Sequence, residues 1–144
     1  MRRLLVTGSR NWTDRQIIRD ALARAWRDLQ PGPIVLVHGA ARGADTIASD
    51  IWTGGGLPDE PHPAKWDQAC GPTCTHRRQR DSRVYHTCAG GIRNQLMVDL
   101  GADLVLGFPI GAGWSGTKDC LARARAAGIR DVREHQSGPV GGSR

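Results

Sequence analysis

The sequence predicts an α/β fold, a Rossmann-like open parallel sheet with helices on both faces. Three observations carry this expectation. Short apolar runs alternate with amphipathic helical patterns along most of the chain, as strands and crossover helices do. The runs Ile34 to Val37 and Leu104 to Phe108 lack polar alternation, the pattern of strands covered on both sides. Three strand ends empty into glycine-containing loops: Gly8-Ser9-Arg10, Gly39 to Gly43, and Pro109 to Gly116. Right-handed crossovers bring such exits to one edge of the sheet, where open α/β proteins bind ligands.

The elements follow in order. Arg3 to Thr7 is a short apolar strand. Thr13 with Gln16 has capping-box spacing, and the helix it opens carries the stripe Ile17, Ile18, Ala21, Leu22, Ala25, Trp26 and Leu29. Pro31-Gly32-Pro33 stops it. Ile34 to Val37 is the second strand, and a second helix runs from about Gly43 to Trp52, closed by Gly54-Gly55-Gly56. Leu57 to His62, with its two prolines, suits only a short edge strand. Asp67 to Thr87 is polar and arginine-rich and is expected to be an irregular insertion. A third helix spans Ala89 to Leu100, with Ile92, Leu96, Met97 and Leu100 predicted on one side. Leu104 to Phe108 is a strand, Thr117 to Ala127 a helix, and Ile129 to Arg133 a final strand. The organisation is one domain over 1–135 with an insertion at 67–88. The Ser/Gly-rich tail 136–144 is expected to be disordered.

Composition narrows the function classes. The 144 residues carry a net charge of +6, and of 20 basic residues only Lys65 and Lys118 are lysine. That skew also arises from a GC-rich coding sequence, so the charge does not by itself demand a nucleic-acid partner. No apolar run approaches the roughly 18–20 residues of a membrane span. The N-terminal MRRLLVTGSR lacks a long apolar core, so no signal peptide and a cytoplasmic location are expected.

Two constellations carry chemistry. The first is the set of glycine loops. A strand that runs through glycines into a helix N-terminus presents unbonded N–H groups and a favourable dipole to a phosphate. Pro109, Gly113, Ser115, Gly116 and Thr117 form one such junction, with Lys118 beside it. Gly39, Arg42, Gly43 and Asp45 form a second, in which Asp45 either faces the ligand or caps its own helix. Gly8, Ser9 and Arg10 form the third. Arg93 and Asn94 begin the third helix, and Arg93 shares a face with Met97. The second constellation is Cys70, Cys74, His76 and Cys88, a Cys3His set with the spacing of a structural zinc site, with His86 a rival fourth ligand. A metal staple would let a segment with so few apolar residues fold. Cys120 stands apart and is expected to be a buried helix cysteine.

These motifs occur together and in order: Thr7-Gly8-Ser9-Arg10, Gly39 to Asp45, Ala89 to Asn94 with Met97, Gly101-Ala102-Asp103, and Phe108-Pro109 through Ser115-Gly116-Thr117. On them the chain resembles the SLOG superfamily, the Rossmann-like group of Lonely-guy phosphoribohydrolases, DprA and YspA-type proteins. It looks closest to the small stand-alone YspA-like branch found in actinobacteria and their phages. The resemblance implies a nucleotide or nucleotide-sugar phosphate ligand and a homodimer. Arg93 matches the arginine that assists cleavage in Lonely-guy enzymes, and Gly116-Thr117 matches their phosphate motif. The position of their catalytic glutamate is Cys120, with Asp119 one residue before it. One residue turns a helical side chain by about 100°, so Asp119 is expected to point away from the bond to be cleaved. Cleavage of an N-glycosidic bond needs a carboxylate. Asp119, Asp45 and Glu60 are the available ones. Two functions follow. One is a nucleoside-monophosphate phosphoribohydrolase using Arg93, Asp119 and Asp45. The other is a non-catalytic protein that senses or sequesters a nucleotide signal. DNA binding in the manner of DprA is the third and weakest.

Overall fold

The computed structural model describes residues 1–81 and 83–137. At its centre lies β1 (Arg2–Gly8), flanked by β2 (Ile34–His38) and β6 (Leu104–Phe108), with β3 (Asp59–Pro61) and β7 (Val132–Glu134) at the edges. All four pairings in the order β3-β2-β1-β6-β7 are parallel. Helices α1 (Arg15–Asp28), α2 (Ala44–Gly54), α3 (Cys88–Asp99) and α4 (Gly116–Ala126) make the crossovers. This is the expected α/β architecture. The order reverses between β1 and β6, and the helices that follow them, α1 and α4, lie on opposite faces of the sheet, which leaves a crevice at the strands' carboxyl ends.

Strand alternation divides the core in two. Leu4, Val6, Leu36, Leu104, Leu106 and Phe108 face α1 and α2. Leu5, Val35, Val37 and Val105 face α3 and α4, against Met97, Val98, Cys120, Leu121 and Ala124. Gly8 lets α2 close onto the end of β1: a Cβ there would overlap the Ala44 Cβ at the start of α2. No helix among the described residues is long and apolar enough to cross a membrane.

Several expectations are corrected. The cap of α1 is Asp14, whose Oδ1 accepts from the Ile17 N–H, and not Thr13. Gln16 donates instead to Asp20 Oδ1, so no capping box forms. Trp26 lies off the buried stripe, 42% exposed. The insertion is not wholly irregular: β4 (Arg77–Arg80) and β5 (Arg83–His86) pair as an antiparallel hairpin. On α3 only Met97 of the predicted stripe is buried, while Ile92, Leu96 and Leu100 face outward. The last strand begins at Val132, not Ile129. The expected tail lies, from residue 138 onward, outside the described residues.

The β3 edge is tied down by charge. Arg3 donates from both terminal nitrogens to Glu60, at 3.1 and 2.7 Å, and His62 Nε2 pairs with Glu60 Oε2 at 2.7 Å. Arg3, then His62, hold the Glu60 carboxyl down to about 2 from an ordinary 4.5. The His38 ring does the same in direction for Asp59, to which Ser49 also donates. A carboxyl whose folded value is depressed stabilises the fold above its unfolded value and loses that contribution as pH falls. Thermal melts are therefore expected to decline from about pH 4.5 toward pH 2. Glu60→Gln should flatten that decline, by no more than about 1 kcal/mol because the pair is partly solvated. An identical acid profile in the variant would exclude the pairing.

Candidate functional site

A cleft of about 1900 Å³ opens at the carboxyl edge of β1 and β6. Its floor is Thr7 to Asn11 of the first strand exit, and α3 and the first turn of α4 form its sides. Trp66 and the β4–β5 hairpin close the far end.

The α4 junction is built as its sequence requires. Ser115 is extended, and its Oγ accepts from the Lys118 N–H at 3.3 Å, which caps the helix. Ser115, Gly116 and Thr117 line the cleft. Among the described residues no acceptor meets the Gly116 or Thr117 N–H. The loop before it is fastened from outside: Lys118 Nζ donates to the Gly111 carbonyl at 2.9 Å. Lys118, Pro109 and Gly113 are not part of the lining.

The β2 junction has a different job. Asp45 is 5% exposed, and its Oδ2 accepts from the Gly39 N–H at 3.0 Å and the Ala41 N–H at 3.3 Å. The loop thus wraps a carboxylate of its own helix. The first N–H of α2, from Ala44, donates to the Ser9 carbonyl. Gly43 takes a left-handed φ of 79°, and a Cβ there would strike the Ser9 and Arg10 backbone. Gly39 lies under the Arg93 guanidinium, which a Cβ would displace. Gly39, Arg42 and Gly43 therefore do not reach the cleft, whereas Asp45 does. Asp45 Oδ1 is buried without a hydrogen-bond partner among the described residues, and burial pushes its carboxyl pKa up.

Arg93, Asn94 and Asp119 form one network. Arg93 Nη1 donates to the Gly39 carbonyl at 2.6 Å and to the His62 carbonyl at 3.3 Å, and Nε donates to Asn94 Oδ1 at 2.9 Å. Burial lowers the Arg93 pKa, with Asp45 working against it. Asn94, 3% exposed, donates to the Gly116 carbonyl at 3.1 Å and to Asp119 Oδ2 at 3.0 Å. Arg123 Nε also donates to Asp119 Oδ2, at 2.8 Å. Asp119 lines the cleft. The reason is the setting of α4: Thr117, Cys120, Leu121 and Ala124 face the sheet, which turns Asp119 and Arg123 toward α3. Cys120 is fully buried, and burial raises its thiol to about 11. Glu60 is held at the β3 edge and lies outside the lining.

The insertion brings Cys70, Cys74, His76 and Cys88 together, their ligand atoms all within 4.8 Å of one another. Sulfur and nitrogen ligands at about 2.3 and 2.0–2.1 Å from a tetrahedral ion stand roughly 3.5–3.8 Å apart. The Cys70 Sγ–His76 Nδ1, Cys74 Sγ–His76 Nδ1 and Cys74 Sγ–Cys88 Sγ separations are 3.6, 3.9 and 3.8 Å. The donor set fits a metal ion. His86 lies beside it, with Nδ1 3.3 Å from Cys74 Sγ, outside the group of four. The Cys70 and His76 backbone N–H groups draw the Cys74 thiol down to about 5, toward the thiolate a metal needs. Cys88 opens α3, so this cluster adjoins the helix that carries Arg93 and Asn94.

Sequence reasoning passed over Trp66, Tyr85, Trp114 and Arg123. Trp66 and Arg123 had readable signals: a lone tryptophan at the mouth of a polar insertion, and an i,i+4 partner for Asp119. The Arg10 guanidinium stands 5.1 Å over the Trp66 ring, a cation–π contact. The other edge of that ring packs on Gly90, where a Cβ would come within 3.2 Å.

The sequence profile of the YspA, cpYpsA-related SLOG family matches residues 2–68, from β1 to Trp66 and the start of the insertion. The Gene 61 protein of Mycobacterium phage D29 is 41% identical over 135 residues, covering 90% of this chain and 93% of that protein. No solved structure matches the chain. The chain belongs to the YspA, cpYpsA-related SLOG family.

Proposed function

We propose that the cleft binds a nucleotide or nucleotide-derived ligand, with a phosphate at Ser115, Gly116 and Thr117. The observation that carries this reading is the α4 N-terminus, opening into the cleft with its first N–H groups unbonded. Membership of a SLOG family supports it. Gly8, Ser9 and Arg10 form the opposite lip, and the Trp66 ring offers a face on which a base can stack. Asn94 keeps α3 and α4 in register beneath the phosphate. Gly39 and Gly43 act indirectly, by shaping the loop that presents Asp45, and Arg42, Pro109 and Gly113 receive no ligand contact in this reading.

Hydrolysis of the N-glycosidic bond is the second reading, favoured by one observation. Asp119 reaches the cleft with one oxygen held by Asn94 and Arg123 and the other without a protein partner among the described residues. Such a carboxylate suits activation of water or stabilisation of an oxocarbenium-like state. Arg93 assists by holding Asn94, and Asp45 offers its unpartnered oxygen to a sugar hydroxyl. Incubation with nucleoside 5′-monophosphates separates the readings. Free base identifies the hydrolase, and a bound, intact nucleotide identifies a sensor or sequestering protein. No binding of any nucleotide by calorimetry rejects both.

Cys70, Cys74, His76 and Cys88 hold a structural zinc in this reading, since four protein ligands leave no open position for catalysis. The protein acts as a homodimer through the outward stripe of α3. Ile92, Leu96 and Leu100 recur every four residues and are 53%, 47% and 48% exposed, and Ile92 and Leu96 line the mouth of the cleft with the exposed Ile110 and Trp114. Leu96→Asp is expected to yield a monomer by light scattering with an unchanged melting profile of the core. A wild-type chain that elutes as a monomer at all concentrations rejects the dimer.

A further inference from the structure

Resting on the nucleotide reading above, the geometry points to a second anion subsite in the same cleft, formed by Arg80 and Arg83 of the hairpin. The ligand class it selects carries more than one phosphate: a nucleoside polyphosphate or a pyrophosphate-bridged nucleotide.

The hairpin register is the first argument. Arg78 stands opposite Tyr85, and Arg80 stands opposite Arg83. Paired residues of an antiparallel ladder share a face, and so do alternate residues of one strand. Arg78, Arg80, Arg83 and Tyr85 therefore lie on one side of the ribbon. Arg80, Arg83 and Tyr85 are part of the cleft wall, as is Val84 from the other face of the ribbon, whereas Arg78 is not. Two arginines directly opposite one another repel. Neither has a carboxylate within ion-pair distance among the described residues. Asp81 sits in the turn between them with a left-handed φ of 49°, and it pairs with neither. An anion between the two guanidinium groups removes the repulsion and gains charge-assisted hydrogen bonds.

The size of the cleft is the second argument. At about 1900 Å³ it exceeds the roughly 300–1000 Å³ of an ordinary small-molecule site. A single phosphate at α4 with its nucleoside on Trp66 fills only part of a cleft this size and leaves room beside Arg80 and Arg83. The third argument is how firmly that end is built. The His86 N–H donates to the Trp66 carbonyl at 2.7 Å, and the Thr87 N–H donates to the His76 carbonyl at 2.9 Å. Together with the Cys/His cluster, these bonds fix the ribbon to both the Trp66 segment and the start of α3. The insertion is thus a wall of the site, and Arg80 and Arg83, at its turn end, are part of that wall.

The test compares nucleoside mono-, di- and triphosphates of one base by calorimetry at fixed ionic strength. It uses the full metal-loaded chain and the double variant Arg80→Gln/Arg83→Gln. Inorganic tripolyphosphate is included as a probe without a nucleoside. Both substituted side chains are exposed, and metal content per chain checks that the ribbon is intact. The wild type is expected to bind the triphosphate about tenfold or more tighter than the monophosphate, as one added charge-assisted contact provides. The variant is expected to lose that difference and keep its monophosphate affinity. Equal affinities in the wild type, or a difference that persists in the variant, overturn the subsite. So does tight binding of a single-stranded oligonucleotide with no discrimination among the mononucleotides. If no nucleotide binds but tripolyphosphate does, and the variant abolishes it, the subsite stands and the nucleotide reading falls.

Discussion

Removing the metal is expected to unfold the insertion and leave the sheet standing. A strong chelator at neutral pH should release about one zinc per chain, and hydrogen exchange should show lost protection in β4, β5 and the first turn of α3. The strands β1, β2 and β6 should keep theirs. The asymmetry follows from where apolar area is buried. Every side chain of β4 is exposed, and among β5 only Tyr85 and His86 are half-buried. A two-stranded ribbon of this kind is marginal in water on its own. The sheet, by contrast, rests on two apolar layers that do not include the insertion. Structural zinc sites in small peptides contribute roughly 10–16 kcal/mol of apparent binding free energy at neutral pH, far more than this ribbon's own packing supplies. Cys74→Ser should reproduce the chelated state, because Cys74 lies within 3.9 Å of both His76 and Cys88 in the group of four. His86→Ala should leave zinc bound, and His76→Ala should not. Unchanged protection after complete chelation, or a chain that never holds zinc when prepared with it, rejects the staple.

How much of this was readable from the sequence depends on what each signal measures. The α/β order was readable because buried parallel strands are continuous apolar runs, and because each crossover helix carries its own period. Of the three strand exits, Gly8 lies in the floor of the cleft, while Gly39 and Pro109 are not part of its lining. Periodicity does not say what covers a stripe, however. Ile92, Leu96 and Leu100 keep perfect helical spacing, yet the sheet takes Met97 and Val98 instead. Asp14 and Thr13 are adjacent and equally able to cap, so only the backbone distinguishes them. Asp45 was offered two readings, ligand contact or capping its own helix. The structure has its Oδ2 accept two N–H groups of the loop and leaves its Oδ1 without a partner. His76 and His86 could not be separated by spacing, because a ribbon that folds back brings both near Cys74.

The helix register of α4 produces the largest catalytic expectation. Helix α4 turns Cys120 into the core and Asp119 into the cleft, so a carboxylate is present there although the glutamate of the Lonely-guy pattern is absent. Asp119→Asn is the decisive substitution. The amide oxygen can occupy the Oδ2 position and still accept from Asn94 Nδ2 and Arg123 Nε, so the network and the α3–α4 contact persist. Only the negative charge and the basicity of the cleft-facing atom are lost. If the protein cleaves nucleoside monophosphates, base release should fall by about 10²–10⁴-fold, the range for removal of a general acid–base group. Affinity for the intact nucleotide should change by less than a few-fold, because the proposed phosphate position is at Ser115, Gly116 and Thr117. A fall in kcat with KM nearly constant therefore identifies Asp119 as acting on the reacting bond. Equal loss of affinity and rate makes it a binding residue. Full retention of base release transfers the chemistry to Asp45, the buried carboxylate of the cleft, whose Oδ1 has no partner among the described residues.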